Sequence, residues 1–335
     1  MSSDIKIELQ SARVIADGKE FGNVGCYEYL TGWIHFEIEP NSPLPTKIVD
    51  LENACKNEHG NVEYSSQIHI LRPVDPTKSN RRLFFDYGNR GNKRAIQYFN
   101  DAVASNEPVL SKECGNGFLF RRGYSIVWVA WQGDLLPGDD RMTMRLPKAI
   151  DKNGPITGKV RTEFIATKEG KTTFPLSGWI STRSHPTISL DTSKAKLTRR
   201  QYPDEEREVI PPNKWSFARV DGGQGMDFQG KETAIVSSDI HIHLPTTFQT
   251  GWIYELIYTA KDPLVMGLGH LVVRDAISFL RYNKTSQNPF LKYEIEKTFC
   301  FGRSQTGRCI RDFIYHGFNE DHLGRKVFDG ALTHV

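Results

Sequence analysis

The run from Thr298 to His316, TFCFGRSQTGRCIRDFIYH, constrains this chain more than any other: a short apolar strand enters a glycine-flanked turn and leaves as an amphipathic helix. The helix reads from Gln305 to His316, with Ile310, Phe313 and Ile314 on one face and Arg308, Arg311 and Asp312 off it. Gly317 is placed to stop it. Strand, tight turn and helix in that order belong to layered α/β architecture, and two reactive turns have this context. Residues 302–306, GRSQT, nearly match G-x-S-x-G, with threonine in the last place. Residues 302–309 nearly match the phosphate-binding G-x-x-x-x-G-K-[ST].

Side-chain chemistry separates the two. A phosphate loop needs a lysine on the phosphates and a hydroxyl on Mg²⁺, and Arg308 and Cys309 stand there. The serine turn needs little bulk two residues either side of the serine, so that strand and helix can approach. Gly302 meets this; Thr306 meets it poorly, with Gly307 next to it to relieve crowding. The plainer reading of Ser304 is an N-cap hydroxyl that opens the helix.

A reactive serine also needs donors for the oxyanion that forms on a carbonyl under attack. The backbone N–H of Gln305 is one candidate. The second would come from a loop after an earlier strand, and Gly88-Asn89-Arg90-Gly91 leaves the apolar run RRLFFDY in that manner, with Arg90 and Gly91 as donors. An ordinary turn is the alternative.

The rest of the chain supplies the frame. Residues 1–81 read as short strands (IKIEL, CYEYLTGWIHFEI, QIHILR) without a helix. Residues 82–146 hold RRLFFDY, a helix over NKRAIQYFNDAVAS with Ala95, Ile96, Phe99 and Val103 inward, and the wholly apolar YSIVWVAW of a sheet covered on both faces. Residues 147–250 revert to β-like runs and read as an insertion, with Trp179, Trp215 and Trp252 in or beside it and placed to cover a pocket. Residues 251–335 form the second core half, with GWIYELIYTAKDP, the helix HLVVRDAISFLRY and the serine turn.

Composition removes several classes. Lys plus Arg is 43 against Asp plus Glu 40, and the net +3 is too small and too evenly spread for a nucleic-acid footprint. The five cysteines show neither C-x-x-C nor metal-ligand spacing, so reduced thiols and no metal are expected. No secretory signal opens the chain and no apolar run spans a membrane, which points to a cytoplasmic protein without membrane association.

Several blocks together resemble a bacterial family described as alpha/beta hydrolase domain proteins, a branch of the α/β-hydrolase superfamily. They are VDLENACKNEHGNVEYSSQIHILRPVDP, FFDYGNRGNKRAIQYFN, RGYSIVWVAWQGDLLPG, GLGHLVVRDAISFLRY and FGRSQTGRCIRDFIYHGFNEDHLGRKVFDGALTHV. The resemblance implies an α/β fold with a mostly parallel sheet flanked by helices, a β-rich N-terminal region and a β-rich insertion. It implies a cofactor-free serine hydrolase acting on a small-molecule ester, with Ser304 as nucleophile. Members carry G-x-S-Q-[ST]-G-R, so Thr306 fits the family pattern, and VFDGALTHV becomes the next core strand.

In this superfamily the acid and the histidine follow the serine. About thirty residues follow Ser304, so the expectation is that the last core strands, the acid and the base lie beyond Val335, or in a complementing C-terminal polypeptide, leaving this chain weak or inactive. Substitutes within it are His334 as base, at the end of the presumed last strand, and Asp134 as acid. Asp329 is a further acid near a strand end, while His270 and His316 read as packing or surface residues. The alternatives are a small-ligand-binding pseudoenzyme and a nucleotide-binding protein.

Overall fold

Leu83–Asp86 and Ser125–Val129 are buried at every position, and their two strands, Arg82–Asp86 and Ser125–Val129, lie parallel near the middle of an eight-stranded sheet. Burial on both faces is what their unbroken apolar sequences demand. The computed structural model describes residues 5–222 and 234–335. They fall into two compact units, Met1–Pro147 with Leu264–Val335, and Lys148–Pro263.

The large sheet belongs to the first unit. Its strand order is Ile5–Val14, Tyr27–Ile38, Val62–Pro73, Ser125–Val129, Arg82–Asp86, Lys297–Arg303, Gly330–His334, and Met144–Arg145 pairs with Val62–Pro73 off this path. The last four strands in the order are parallel, in register Phe84 with Ile126, Phe301 with Asp86 and Arg303 with His334. The first three are antiparallel, and Val62–Pro73 joins the halves by pairing antiparallel with Ser125–Val129. The sheet is therefore mixed rather than mostly parallel. The N-terminal strands follow one another without a crossover helix, which a parallel pairing would need.

Helices are few. α1 (Ala95–Phe99) is much shorter than the pattern through Ser105 predicts. The buried Asn100 side chain accepts the Leu119 N–H at 2.9 Å and donates to the Cys114 carbonyl at 3.1 Å, and Asp101 follows at φ 51°. Those bonds turn the chain away and leave Val103 54% exposed. α2 (Phe118–Arg121) is a single turn. α3 (Leu268–Tyr282) is buried from Leu271 to Leu280 on all sides, with Arg274 and Asp275 satisfied by pairing at 2.7 Å. α4 (Gln305–Tyr315) buries Thr306, Gly307, Cys309, Ile310 and Phe313, while Ile314 turns outward. Gly317 at φ 79° ends it as its pattern predicts, with the Phe318 N–H reaching the Phe313 carbonyl at 3.0 Å.

The second unit has its own antiparallel sheet, in the order Glu208–Ile210, Lys196–Arg200, Ile253–Lys261, Thr157–Ile165. Ile253–Lys261, placed by the sequence reading in the second core half, is instead paired along its length with Thr157–Ile165, so this unit continues to Pro263. Its core gathers Phe164, Leu197, Phe217, Phe248, Tyr254 and Leu256. Trp215 is buried in that core and Trp252 packs against it, whereas Trp179 is exposed. At the boundary the Val265 N–H donates to the Pro147 carbonyl at 3.1 Å, and the Ala149 N–H to the Pro263 carbonyl at 2.9 Å.

Candidate active site

The strand Lys297–Arg303 delivers Ser304 in a backbone conformation, φ 59° and ψ −119°, that a residue with a side chain adopts only when its surroundings enforce it. The enforcement comes from three sides. The Ser304 N–H donates to the His334 carbonyl on the neighbouring strand at 2.7 Å, and the Ser304 carbonyl accepts the Arg308 N–H at 3.2 Å. A Cβ on Gly302 would stand 2.6 Å from the Thr306 carbonyl oxygen, and one on Gly307 2.6 Å from the His334 carbonyl oxygen. Both glycines are needed for close approach, and the tight contact to the neighbouring strand falls at Gly307, not at Thr306.

Thr306 therefore does not crowd the turn. It is 1% exposed, and its hydroxyl accepts the Arg303 N–H at 2.8 Å while donating to the Arg303 carbonyl at 3.0 Å. The threonine closes the bend that glycine would only permit. Ser304 stands at the N-cap position of α4 and is exposed, but its hydroxyl makes no capping bond, so the reading of that hydroxyl as a helix cap does not hold. The phosphate-loop reading fails as well. Residues 305–307 already lie in α4, leaving no open loop of amides. Cys309 is buried, its thiol pushed up to about 12 by that burial and by Asp312.

Ser304 borders a cleft of about 310 Å³. Asn89 and Arg90 line it from the loop expected to oppose the serine, and the loop is tied to the turn by Asn89 Nδ2 donating to the Arg303 carbonyl at 3.2 Å. Arg90 and Gly91 both adopt positive φ, 52° and 76°. Gly91 is packed against Met142 and does not line the cleft. The Gln305 N–H heads α4 without a backbone acceptor among the described residues, as first-turn amides do. The Gln305 side chain points elsewhere, with Oε1 buried and unpartnered.

Sequence reasoning missed Asp86, Arg94, Tyr98 and Arg303, which line the same cleft. The available signal was an acid inside the apolar run RLFFD. Asp86 is fully buried; its Oδ2 accepts the Arg94 N–H at 2.6 Å, the Ala95 N–H at 2.7 Å and Trp128 Nε1 at 2.7 Å, while Oδ1 has no partner. Burial raises its pKa, against the pull of those donors and of Lys93. Lys93 is 3% exposed, lies 5.7 Å from the Trp128 ring and donates to the Asn106 carbonyl. Burial lowers it to about 7, with Asp86 opposing.

The candidate acid and base residues are not gathered at the serine. His334 meets Ser304 through its backbone, and its side chain is not among those lining the cleft. Asp134 lies outside the cleft, with Oδ1 buried and unpartnered. Asp329 bonds the Thr298 N–H at 3.0 Å and pairs with Arg281 at 2.9 Å. Burial pushes it up, yet these partners hold it below the usual carboxylate range. It braces the far end of the serine's strand, about 20 Å from the turn at 3.3 Å per residue. His270 and His316 share Asp312, at 2.9 and 3.4 Å.

A model of the alpha/beta hydrolase domain family matches residues 235–335, the stretch that holds Ser304, its strand and α4. This is the family that the sequence blocks resemble. No curated protein and no solved structure matches the chain. Among the described residues no helix is long and apolar enough to cross a membrane, and no group of three His, Cys, Asp or Glu could hold a metal ion.

Proposed function

We propose that the chain is a serine hydrolase acting on carboxylic esters, with Ser304 as nucleophile. The observation that carries this is the Ser304 backbone at φ 59° and ψ −119°, held at a cleft with its hydroxyl exposed and unused for capping. Strain of this kind is kept where it serves a site. Ser304 Oγ would attack the ester carbonyl carbon as its proton passes to a base. The Gln305 N–H and an amide of the Asn89–Gly91 loop, of which Asn89 and Arg90 line the cleft, would receive the oxyanion. Collapse would expel the alcohol, which takes up that proton, and water would then release the acid from the acyl-serine.

Among the described residues no histidine lines the cleft, and a serine without its base retains only the residual rate from binding and the oxyanion donors. This favours a second reading, a ligand-binding protein that keeps the cleft without turnover. A fluorophosphonate probe and a panel of short-chain esters separate them. Labelling that maps to Ser304 and disappears in Ser304→Ala supports the hydrolase. Labelling that needs a complementing polypeptide assigns the base to that polypeptide. Ligand binding unchanged by Ser304→Ala, with no labelling in either condition, supports the second reading.

A further inference from the structure

The cleft beside Ser304 is lined by three arginines, Arg90, Arg94 and Arg303, and by one acid, Asp86. Arg90 is engaged within the protein, which leaves Arg94 and Arg303 to meet a ligand. Arg94 Nη1 donates to the neutral amide oxygen of Gln97 at 3.1 Å. Arg303 donates to the Tyr98 phenol, with its guanidinium 5.1 Å from that ring. Neither pairs with a carboxylate among the described residues. Asp86 does not neutralise them: its Oδ2 is held by three N–H donors, its whole side chain is buried, and Lys93 acts on it from within the protein. The cleft is thus positive without an internal counter-ion at Arg94 or Arg303.

Resting on the assignment of Ser304 as nucleophile, we infer that the substrate is a small ester bearing a carboxylate, which Arg303 and Arg94 bind while its ester carbonyl lies at Ser304. Guanidinium groups suit this because their planar donor fork matches a carboxylate two bonds at a time. Tyr98 holds the Arg303 guanidinium through its hydroxyl and its ring. The cleft volume of about 310 Å³ limits the ligand to a compact molecule. Arg303 immediately precedes the nucleophile, and both residues line the same cleft.

The test uses the full chain carrying Ser304→Ala, titrated calorimetrically with monomethyl succinate and, separately, dimethyl succinate. The monoester should bind roughly ten- to a hundredfold more tightly, the difference that a charge-assisted bond makes. Arg303→Gln and Arg94→Gln should each reduce that preference about tenfold. Arg303→Lys, which keeps the charge, should retain part of it, and thermal melts of each variant check folding. Equal affinities, a preference for the diester, or binding of neither overturns the inference. Probe labelling of unsubstituted Ser304 reports separately. Labelling with equal affinities sinks the anionic substrate alone, whereas a monoester preference with no labelling, with or without a complementing polypeptide, sinks the hydrolase assignment and leaves an anion-binding cleft.

Discussion

The His334 carbonyl accepts the Ser304 N–H at 2.7 Å, and the same oxygen stands 2.6 Å from where a Cβ on Gly307 would be. One backbone atom of the neighbouring strand thus holds the serine and forbids a side chain on the helix that follows it. Gly307→Ala should force this oxygen away, costing about 1–3 kcal/mol of stability. It should also slow probe labelling of Ser304. Urea denaturation and labelling rates measure the two, and a variant with unchanged stability and rate would show that strand and helix do not meet here.

The strain at Ser304 has its own signature. Glycine adopts the observed φ and ψ freely, so Ser304→Gly should raise stability by about 1 kcal/mol while abolishing labelling. Ser304→Ala should abolish labelling without the gain. Equal denaturation midpoints for the two variants would count against a strained turn.

Thr306 offers a near-isosteric test. Thr306→Val keeps the shape but removes the hydroxyl, leaving the Arg303 N–H without its acceptor at a site that is 1% exposed. A cost of about 1–3 kcal/mol is expected, and Thr306→Ser should recover most of it. If valine proves neutral, the hydroxyl does not close the bend.

Lys93 should make stability depend on pH near neutrality. Burial lowers it to about 7 in the folded protein, with Asp86, Glu107 and Asp140 opposing. In the unfolded chain it stays protonated to about pH 10. Between those values the unfolded state holds the additional proton, so stability rises with pH, by at most about 1.4 kcal/mol per unit. Below about pH 7 both states carry the proton and the contribution is flat. Measured from pH 7 to about pH 9, the protein should gain stability relative to Lys93→Met. Parallel profiles for the two would rule out a depressed Lys93.

What the sequence made legible was local. Apolar runs such as SIVWV announce buried strands, and the order strand, Gly302, Ser304, helix follows from residues within one turn of each other. Strand direction is not local: nothing within CYEYLTGWIHFEI states that its neighbours run against it. Neither is the early end of α1, which depends on Asn100 bonding to Cys114 and Leu119. The cleft lay furthest from sequence reasoning, because Arg94 and Arg303 are more than two hundred residues apart. The parallel pairing of Asp86 with Phe301 brings the strand of Arg303 beside the strand that leads to Arg94 and α1. Thr306, which looked out of place beside a G-x-S-x-G pattern, becomes intelligible only once the Arg303 backbone it bonds is in view.

The bond from the Val265 N–H to the Pro147 carbonyl joins the two chain ends between which residues 148–263 are inserted. Because those ends already meet, bridging them with a few residues closes a hairpin-sized loop, whose closure costs about 3 kcal/mol less than that of a flexible excursion of a hundred residues. The unit of Met1–Pro147 and Leu264–Val335 is in that sense a socket: its framework is paired to itself where the chain leaves and returns, so a short linker in place of residues 148–263 should leave the serine turn in place, as circular dichroism and probe labelling of that variant would check.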